Sequence, residues 1–343
     1  MELIIGLGES GSNLAQEYFK QKGEKDLIYV FNTAQDDLEK IENNKIYKVR
    51  VGDGKGSGRN PLVTMKIFES CYSDIEKHIT KISKKEIDSV KVFSGLGGGT
   101  GAGSLHTMFS IISDNFDEIF VVMVLPLSAE GNPSCSNSLA LLQKLNTEFI
   151  ARNKVTPILI NNDSYIKFIG KNKQKTWARV NEEIVKLVVK MTDHKTFIGN
   201  PKEGGMGSID EGDFNRAIKA DGKSPGYLGL FNYKYKKGIA ESTSIPFDVT
   251  KGKKAVVLFK TKNGIRHKDL EKLNEVVKFY KIIGESNIDE KRDSCEILIN
   301  GLPLPDEIFK TRLKAVKKQI TGLRSVNKEK AISKIDSEEL LDL

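Results

Sequence analysis

The chain has 343 residues, of which 38% are hydrophobic and 29% charged, and a formal net charge of +8. That length accommodates two domains on a shared interface, and the balance is that of a globular chain, not a disordered or fibrous one. No apolar run reaches the roughly 20 residues that span a bilayer, three scattered cysteines and four histidines lack ligand spacing, and the modest basic excess comes with no nucleic-acid-binding motif.

Met1 to Ile5 runs straight into a strand without a basic leader, so a cytoplasmic protein with no membrane partner is expected. Leu3-Ile4-Ile5 is a short buried strand entering the glycine turn Gly6 to Asn13, with a helix from Leu14 to Lys20. Leu27 to Phe31 is a second strand, followed by Asn32-Thr33-Ala34-Gln35-Asp36-Asp37-Leu38. A glycine-rich loop, Val51 to Asn60, then leads to Pro61, which suits the first turn of a helix. Lys55 and Arg59 add positive charge to that loop.

The stretch around which the chain is organised is Ser94-Gly95-Leu96-Gly97-Gly98-Gly99-Thr100-Gly101-Ala102-Gly103-Ser104, between an apolar run at Val90 to Phe93 and a helix-like segment from Leu105 to Ser113. Without Cβ atoms the backbone approaches a ligand closely, and its NH groups converge with those of the helix start on an anion. The loop reads as a phosphate cradle, yet it lacks the Lys of a P-loop and the spacing of a dinucleotide fingerprint. Ile119 to Leu125 and Pro157 to Ile160 are strands apolar enough to be buried on both faces. Strands alternating with helices predict an α/β fold with a doubly wound parallel sheet and ligand loops at the strands' carboxyl ends.

A long helix is expected from Thr176 to about Met191, with Trp177 and Asn181 on one face. An acidic, glycine-containing stretch follows at Met206 to Phe214. Beyond Pro225, strands at Ala255–Phe259, Phe279–Ile283 and Cys295–Ile299, with a helix at His267–Val277, predict a smaller α+β domain. Pro305 to Leu323 is amphipathic and basic, and Asp336 to Leu343 is an acidic tail carrying leucines.

Gly97-Gly98-Gly99-Thr100-Gly101-Ala102-Gly103 is similar to the GGGTG(S/A)G signature of the tubulin/FtsZ superfamily. The opening strand, glycine loop and Asn13 resemble that family too, as do Ala129-Glu130-Gly131, Asn161-Asn162-Asp163 and the acidic stretch, which is similar to the FtsZ synergy loop. The resemblance implies a GTP-binding domain at 1–175, a core helix at 176–192, the synergy loop and next helix at 193–222, a C-terminal domain at 223–303 and a terminal helix and tail at 304–343. It implies GTP or GDP with its phosphates on Gly8, Glu9, Ser10, Gly11, Gly56, Gly58, Asn60, Gly97, Gly98, Gly99, Thr100 and Gly101, and its guanine and ribose on Asn13, Glu130, Asn162, Trp177 and Asn181. Mg²⁺ is expected with the triphosphate, and no protein metal ligand is assigned.

Asp210 and Asp213 are the implied catalytic carboxylates, acting on the nucleotide of the next subunit in a head-to-tail filament with GTPase activity. Ala34, Ser134 and Ser208 depart from cell-division FtsZ, and the branch the chain most resembles is TubZ, which implies plasmid or phage DNA partition through a DNA-bound adaptor that meets the C-terminal helix or tail. The alternatives are a divergent FtsZ-like division or cell-shape protein and a non-hydrolysing nucleotide-binding scaffold.

Overall fold

The computed structural model describes residues 1–82, 84–145, 155–169, 173–199, 208–219, 226–234, 239–262, 264–287 and 293–305, together with 308 and 310. Six strands form the first sheet: β1 (Glu2–Leu7), β2 (Leu27–Asn32), β3 (Tyr47–Arg50), β4 (Ser89–Gly95), β5 (Ile119–Leu125) and β6 (Thr156–Asn161). They lie in the order β3-β2-β1-β4-β5-β6 and every pair is parallel. The connecting helices are α1 (Gly8–Lys22), α2 (Gln35–Glu39), α3 (Pro61–Ser70), α4 (Tyr72–Thr80), α5 (Gly99–Asn115), α6 (Asn132–Leu145) and α7 (Asn162–Ile169).

Both faces of this sheet are covered, which explains strands such as β5 that are buried at every residue. Leu3, Ile5, Val92 and Val121 share a core with Phe68, Ile75, Met108 and Ile112 of α3, α4 and α5. On the opposite face, Ile4, Phe93, Phe120 and Val122 pack with Leu14, Ala15 and Tyr18 of α1.

The next helix, α8 (Lys173–Thr192), is followed by α9 (His194–Ile198) and α10 (Glu211–Ile218). A second sheet contains β7 (Tyr227–Lys234), β8 (Ile239–Ser242), β9 (Lys254–Lys260), β10 (Tyr280–Ser286) and β11 (Ser294–Leu302), with α11 (His267–Val276) between β9 and β10. Its order is β10-β9-β11-β7-β8, parallel only between β10 and β9. Val180, Ile184, Val185 and Val188 of α8 join Phe93 and Phe120 of the first sheet to Leu228, Leu230, Val256 and Leu298 of the second in one apolar cluster. The long helix is therefore the element on which both sheets close.

Two expectations change. The first helix starts at Gly8, not Leu14, because Gly8 takes φ +67° and turns the chain into the helix straight off β1. The second sheet also includes β7 and β8, whose glycine and alternating polar residues give a weak strand signal. The basic helix at 305–323 and the tail at 336–343 lie outside the described residues, apart from a few positions at the helix start.

At the foot of the first sheet, Lys91 is 1% exposed and forms an ion pair with Glu2, which also accepts a hydrogen bond from the Tyr18 hydroxyl. Burial pushes the Glu2 carboxyl upward, but the Lys91 charge and the hydrogen bonds from Lys91 and Tyr18 outweigh it, leaving the group below its ordinary value of 4.5. A depressed carboxyl adds stability above its unfolded value, and that stability is lost as pH falls through the folded one. Glu2→Gln is expected to cost roughly 3–5 kcal/mol near neutrality by leaving the Lys91 charge unpaired. Denaturant titrations from pH 7 down to pH 3 check this: the gap between wild type and variant should narrow as the pH falls.

Candidate functional site

A cavity of about 730 Å³ opens at the carboxyl ends of the first sheet's strands, lined by Leu7 at the end of β1 and Gly95 at the end of β4. These strands are neighbours whose chains continue in opposite directions across the sheet, the position where doubly wound folds leave a crevice. Two helices begin at it. Leu7 and Gly98 precede α1 and α5 and neither supplies a side-chain cap. The first-turn NH groups and the positive dipole ends thus face the cavity, an arrangement suited to phosphate.

Glycine is required where backbones touch. A Cβ on Gly101 would stand 2.4 Å from the Gly95 carbonyl oxygen, and one on Gly99 would stand 2.9 Å from the Asn60 nitrogen. Gly98 has nothing within 4 Å and so leaves open space above the helix start. The second glycine loop closes the cavity's other side. Gly56 N donates to Thr33 O at 2.8 Å, Gln35 N to Gly54 O at 2.9 Å, and the Thr33 and Thr100 hydroxyls meet at 2.7 Å.

Gly8, Glu9, Ser10, Gly56, Gly58, Gly97, Gly98, Gly99, Thr100 and Gly101 all line the cavity, as do Asn13, Glu130, Asn162, Trp177 and Asn181. Gly11 and Asn60 are not among the lining residues. Gly11 is pressed against β4, where a Cβ would come within 2.2 Å of the Phe93 carbonyl oxygen. The Asn60 side chain caps α3 by accepting the Leu62 N–H at 3.0 Å. Both are positioning residues of the fold around the cavity.

Asn162 is 8% exposed, and its Oδ1 has no hydrogen-bond partner among the described residues although it belongs to the lining. Such an acceptor is costly unless a ligand donor meets it. Trp177 is 40% exposed at the cavity, at the start of α8, so its ring is available to stack and does not belong to the core. The Glu130 carboxylate accepts Leu127 N–H at 2.7 Å, and Asp163 takes the Ser128 N–H and hydroxyl at 3.0 and 2.7 Å, tying the turn after β5 to the end of β6. Asp37, Ser57 and Ser134 also line the cavity without having been assigned a role there from sequence, and Lys55 and Arg59, expected to bring positive charge to the second glycine loop, line it too. Asp37 was visible in the polar run after β2; Ser57 lay in the glycine loop with no motif to single it out.

The acidic stretch lies elsewhere. Asp210 caps α10 through its carboxylate, accepting Asp213 N–H at 2.6 Å, and Asp213 is 3.7 Å from Arg216. Buried Ile209 and Phe214 anchor the segment, and the His194 ring lies 2.7 Å from the Ile209 carbonyl oxygen. Neither aspartate lines the cavity. From Asn181 to Thr192, α8 rises roughly 16 Å at 1.5 Å per residue, carrying the chain to α9 and then to this segment.

The fold and the cavity together define a P-loop-free nucleotide-type crevice. Residues 3–170 match the Tubulin/FtsZ family, GTPase domain, and through this domain the chain belongs to the tubulin/FtsZ superfamily. The tubulin-like protein CetZ1 of Haloferax volcanii is 27% identical over 193 residues, 53% of this chain and 47% of that protein. The chain spans about half the length of the curated relatives it matches. Among solved structures it is similar to CetZ2 of Haloferax volcanii in a GTPγS-bound protofilament, with TM-score 0.71 and 18% identity over 94% of this chain and 100% of that one. It is also similar to a GTPγS-form protofilament of TubZ from Bacillus thuringiensis serovar israelensis, with TM-score 0.75 and 14% identity over 96% and 94%. At such identities the likeness is one of fold, and it is shared between CetZ and TubZ.

The glycines separate into two physical classes. Gly103→Ala places a Cβ 2.2 Å from the Pro61 carbonyl oxygen and is expected to destabilise the fold by about 2–3 kcal/mol. Gly98→Ala, entering open space at φ −88°, should stay within about 1 kcal/mol of wild type. Urea unfolding of the two variants checks the contrast.

Proposed function

We propose that this chain binds a guanine nucleotide in the cavity and hydrolyses GTP when a second copy docks head to tail, building a filament. The observation that carries this reading is the division of the site along α8. The phosphate cradle and Trp177 lie at its start, and the acidic segment lies beyond its end. One subunit therefore presents the nucleotide and another presents Asp210 and Asp213.

Gly97 to Gly101 and the starts of α1 and α5 receive the phosphates in this reading, with Gly8, Glu9, Ser10, Gly56 and Gly58 enclosing them. Trp177 stacks on the base, while Asn13, Asn162 and Asn181 offer amides to its edge and Glu130 faces the ribose. Hydrolysis breaks the bond from the γ-phosphorus to the bridging oxygen and forms one to a water oxygen, so the protein's task is positioning and charge stabilisation. Asp210 and Asp213 orient that water across the interface. Among the described residues no cluster of His, Cys, Asp or Glu is arranged to hold a metal. Mg²⁺ would be held by the charge of the triphosphate itself, with water completing its shell.

A CetZ and a TubZ solved as protofilaments share this fold, which supports the assembly. DNA partition by a cytoplasmic filament, through an adaptor bound at the C-terminal segment, is the finer reading; it rests on likeness to TubZ.

Specific GTP turnover, followed against protein concentration with light scattering on the same samples, tests the divided site. Turnover should rise as polymer appears, and it should fall at least tenfold in Asp210→Asn and Asp213→Asn at equal polymer. Asn also caps helices well, so the first variant removes charge while keeping α10 intact. Activity that is flat from dilute protein upward would sink the shared site.

Trp177 is the chain's single tryptophan. GTP or GDP should quench its fluorescence, and Trp177→Leu should weaken nucleotide binding about tenfold, the scale of losing one aromatic stack on a base.

A further inference from the structure

The acidic segment is tied to the rest of the chain at both ends, by different means. At the far end of α10, Asn300 Nδ2 donates to the Ile218 and Lys219 carbonyl oxygens at 2.9 and 3.1 Å, and the Thr156 hydroxyl donates to Ile218 O at 3.3 Å. Lys219 also forms an ion pair with Glu118. These partners lie on β11, on β6 and just before β5, so the carbonyls that a helix leaves open at its end are held by both sheets.

The near end, where Asp210 stands, meets His194. The imidazole Nε2 lies 2.7 Å from the Ile209 carbonyl oxygen. A carbonyl oxygen only accepts, so Nε2 carries the proton and donates. That oxygen belongs to the peptide unit whose nitrogen is the Asp210 N. Because the unit is planar, fixing the oxygen fixes the plane from which the Asp210 Cα departs. Asp210 Oδ1 then caps α10 by accepting Asp213 N–H, which orients the carboxylate on that backbone.

His194 is itself well held. It opens α9, whose Asp193 cap accepts Thr196 N–H at 2.7 Å and pairs with Lys22 of α1 at 3.1 Å. The ring meets Phe214 edge-on, with centroids 5.6 Å apart and planes at 63°. Apolar burial leaves the segment room to shift, since His194, Ile209, Leu258, Gly284 and Glu285 border a cavity of about 250 Å³. The hydrogen bond is the directional contact that resists such a shift.

We propose that His194 is a positioning residue for hydrolysis: by holding the Ile209 carbonyl it sets the direction in which the Asp210 carboxylate is presented to a second copy. This rests on the divided-site reading above. His194 does not line the nucleotide cavity, so its effect is on turnover in the polymer and not on nucleotide binding by the subunit that carries it.

Two full-length variants test this. His194→Phe keeps an aromatic ring beside Phe214 and removes the donor, whereas His194→Gln supplies an amide donor from the same position. At equal polymer, His194→Phe should lower GTP turnover about tenfold, well within what a displacement of roughly 1 Å can cost. Nucleotide affinity below the assembly concentration, read from Trp177 fluorescence, should stay within about twofold, as expected of a distant site. His194→Gln should recover about half of wild-type turnover by restoring the hydrogen bond. In an Asp210→Asn background, His194→Phe should change turnover by less than about twofold, because a residue that acts through a carboxylate has nothing to act on once the charge is gone.

Wild-type turnover in His194→Phe, a Gln variant as slow as the Phe variant, or effects that multiply in the double variant each overturn the proposal. So does loss of the folded state in both single variants, which would assign the imidazole to stability alone. If Asp210→Asn by itself turns over GTP at the wild-type rate, the divided-site reading falls instead.

Discussion

Everything at the cavity depends on backbone meeting backbone. Gly11 against Phe93, Gly101 against Gly95 and Gly103 against Pro61 are contacts in which one added methyl would overlap a carbonyl oxygen at 2.2–2.4 Å. They let α1 begin directly at the end of β1 and α5 begin after the three residues that follow β4, packed on α3, so that two sets of uncapped NH groups converge on one space. The pocket is a by-product of how tightly helix and strand are joined. Substituting such a glycine shifts the helix start along with the cavity it faces.

The second organising element is α8. Its apolar residues contribute to a cluster drawn from both sheets, which fixes the helix rigidly between them. Because a helix advances by a set rise per residue, burying it also fixes the separation of what lies at its two ends. Trp177 and the acidic segment are held apart by that length, and Asp210 is exposed at the start of α10, where one of its carboxylate oxygens caps the helix. The same packing that stabilises the fold thus holds the cavity and the acidic segment apart.

Charge follows a related economy. The buried Lys91 at the foot of the sheet is compensated by Glu2, and the exposed lysines near the cavity have carboxylates within reach. Against that background Arg59 is unusual: it lines the cavity on a peptide of positive φ and has no ion-pair partner among the described residues, and the neighbouring Asn137 and Asn60 explain how the strain is sustained.

Local pattern alone determined much of this protein. The glycine run at 97–103, the alternating strands and helices of the first half, and the Trp177 and Asn181 spacing depend on residues near one another in sequence, where φ freedom and helical periodicity act directly. Tertiary structure decided the rest. Gly11 and Asn60 look like ligand residues in sequence, but Phe93 and the start of α3 claim them, and only packing reveals those partners. β7 and β8 emerge as strands through pairing with β11 and with each other, since neither carries a strong pattern of its own. Asp37 and Arg59 reach the cavity because distant segments are zipped together by backbone hydrogen bonds. Sequence specifies conformation where the cause is local; which groups share a site is settled by long-range contacts that no local rule encodes.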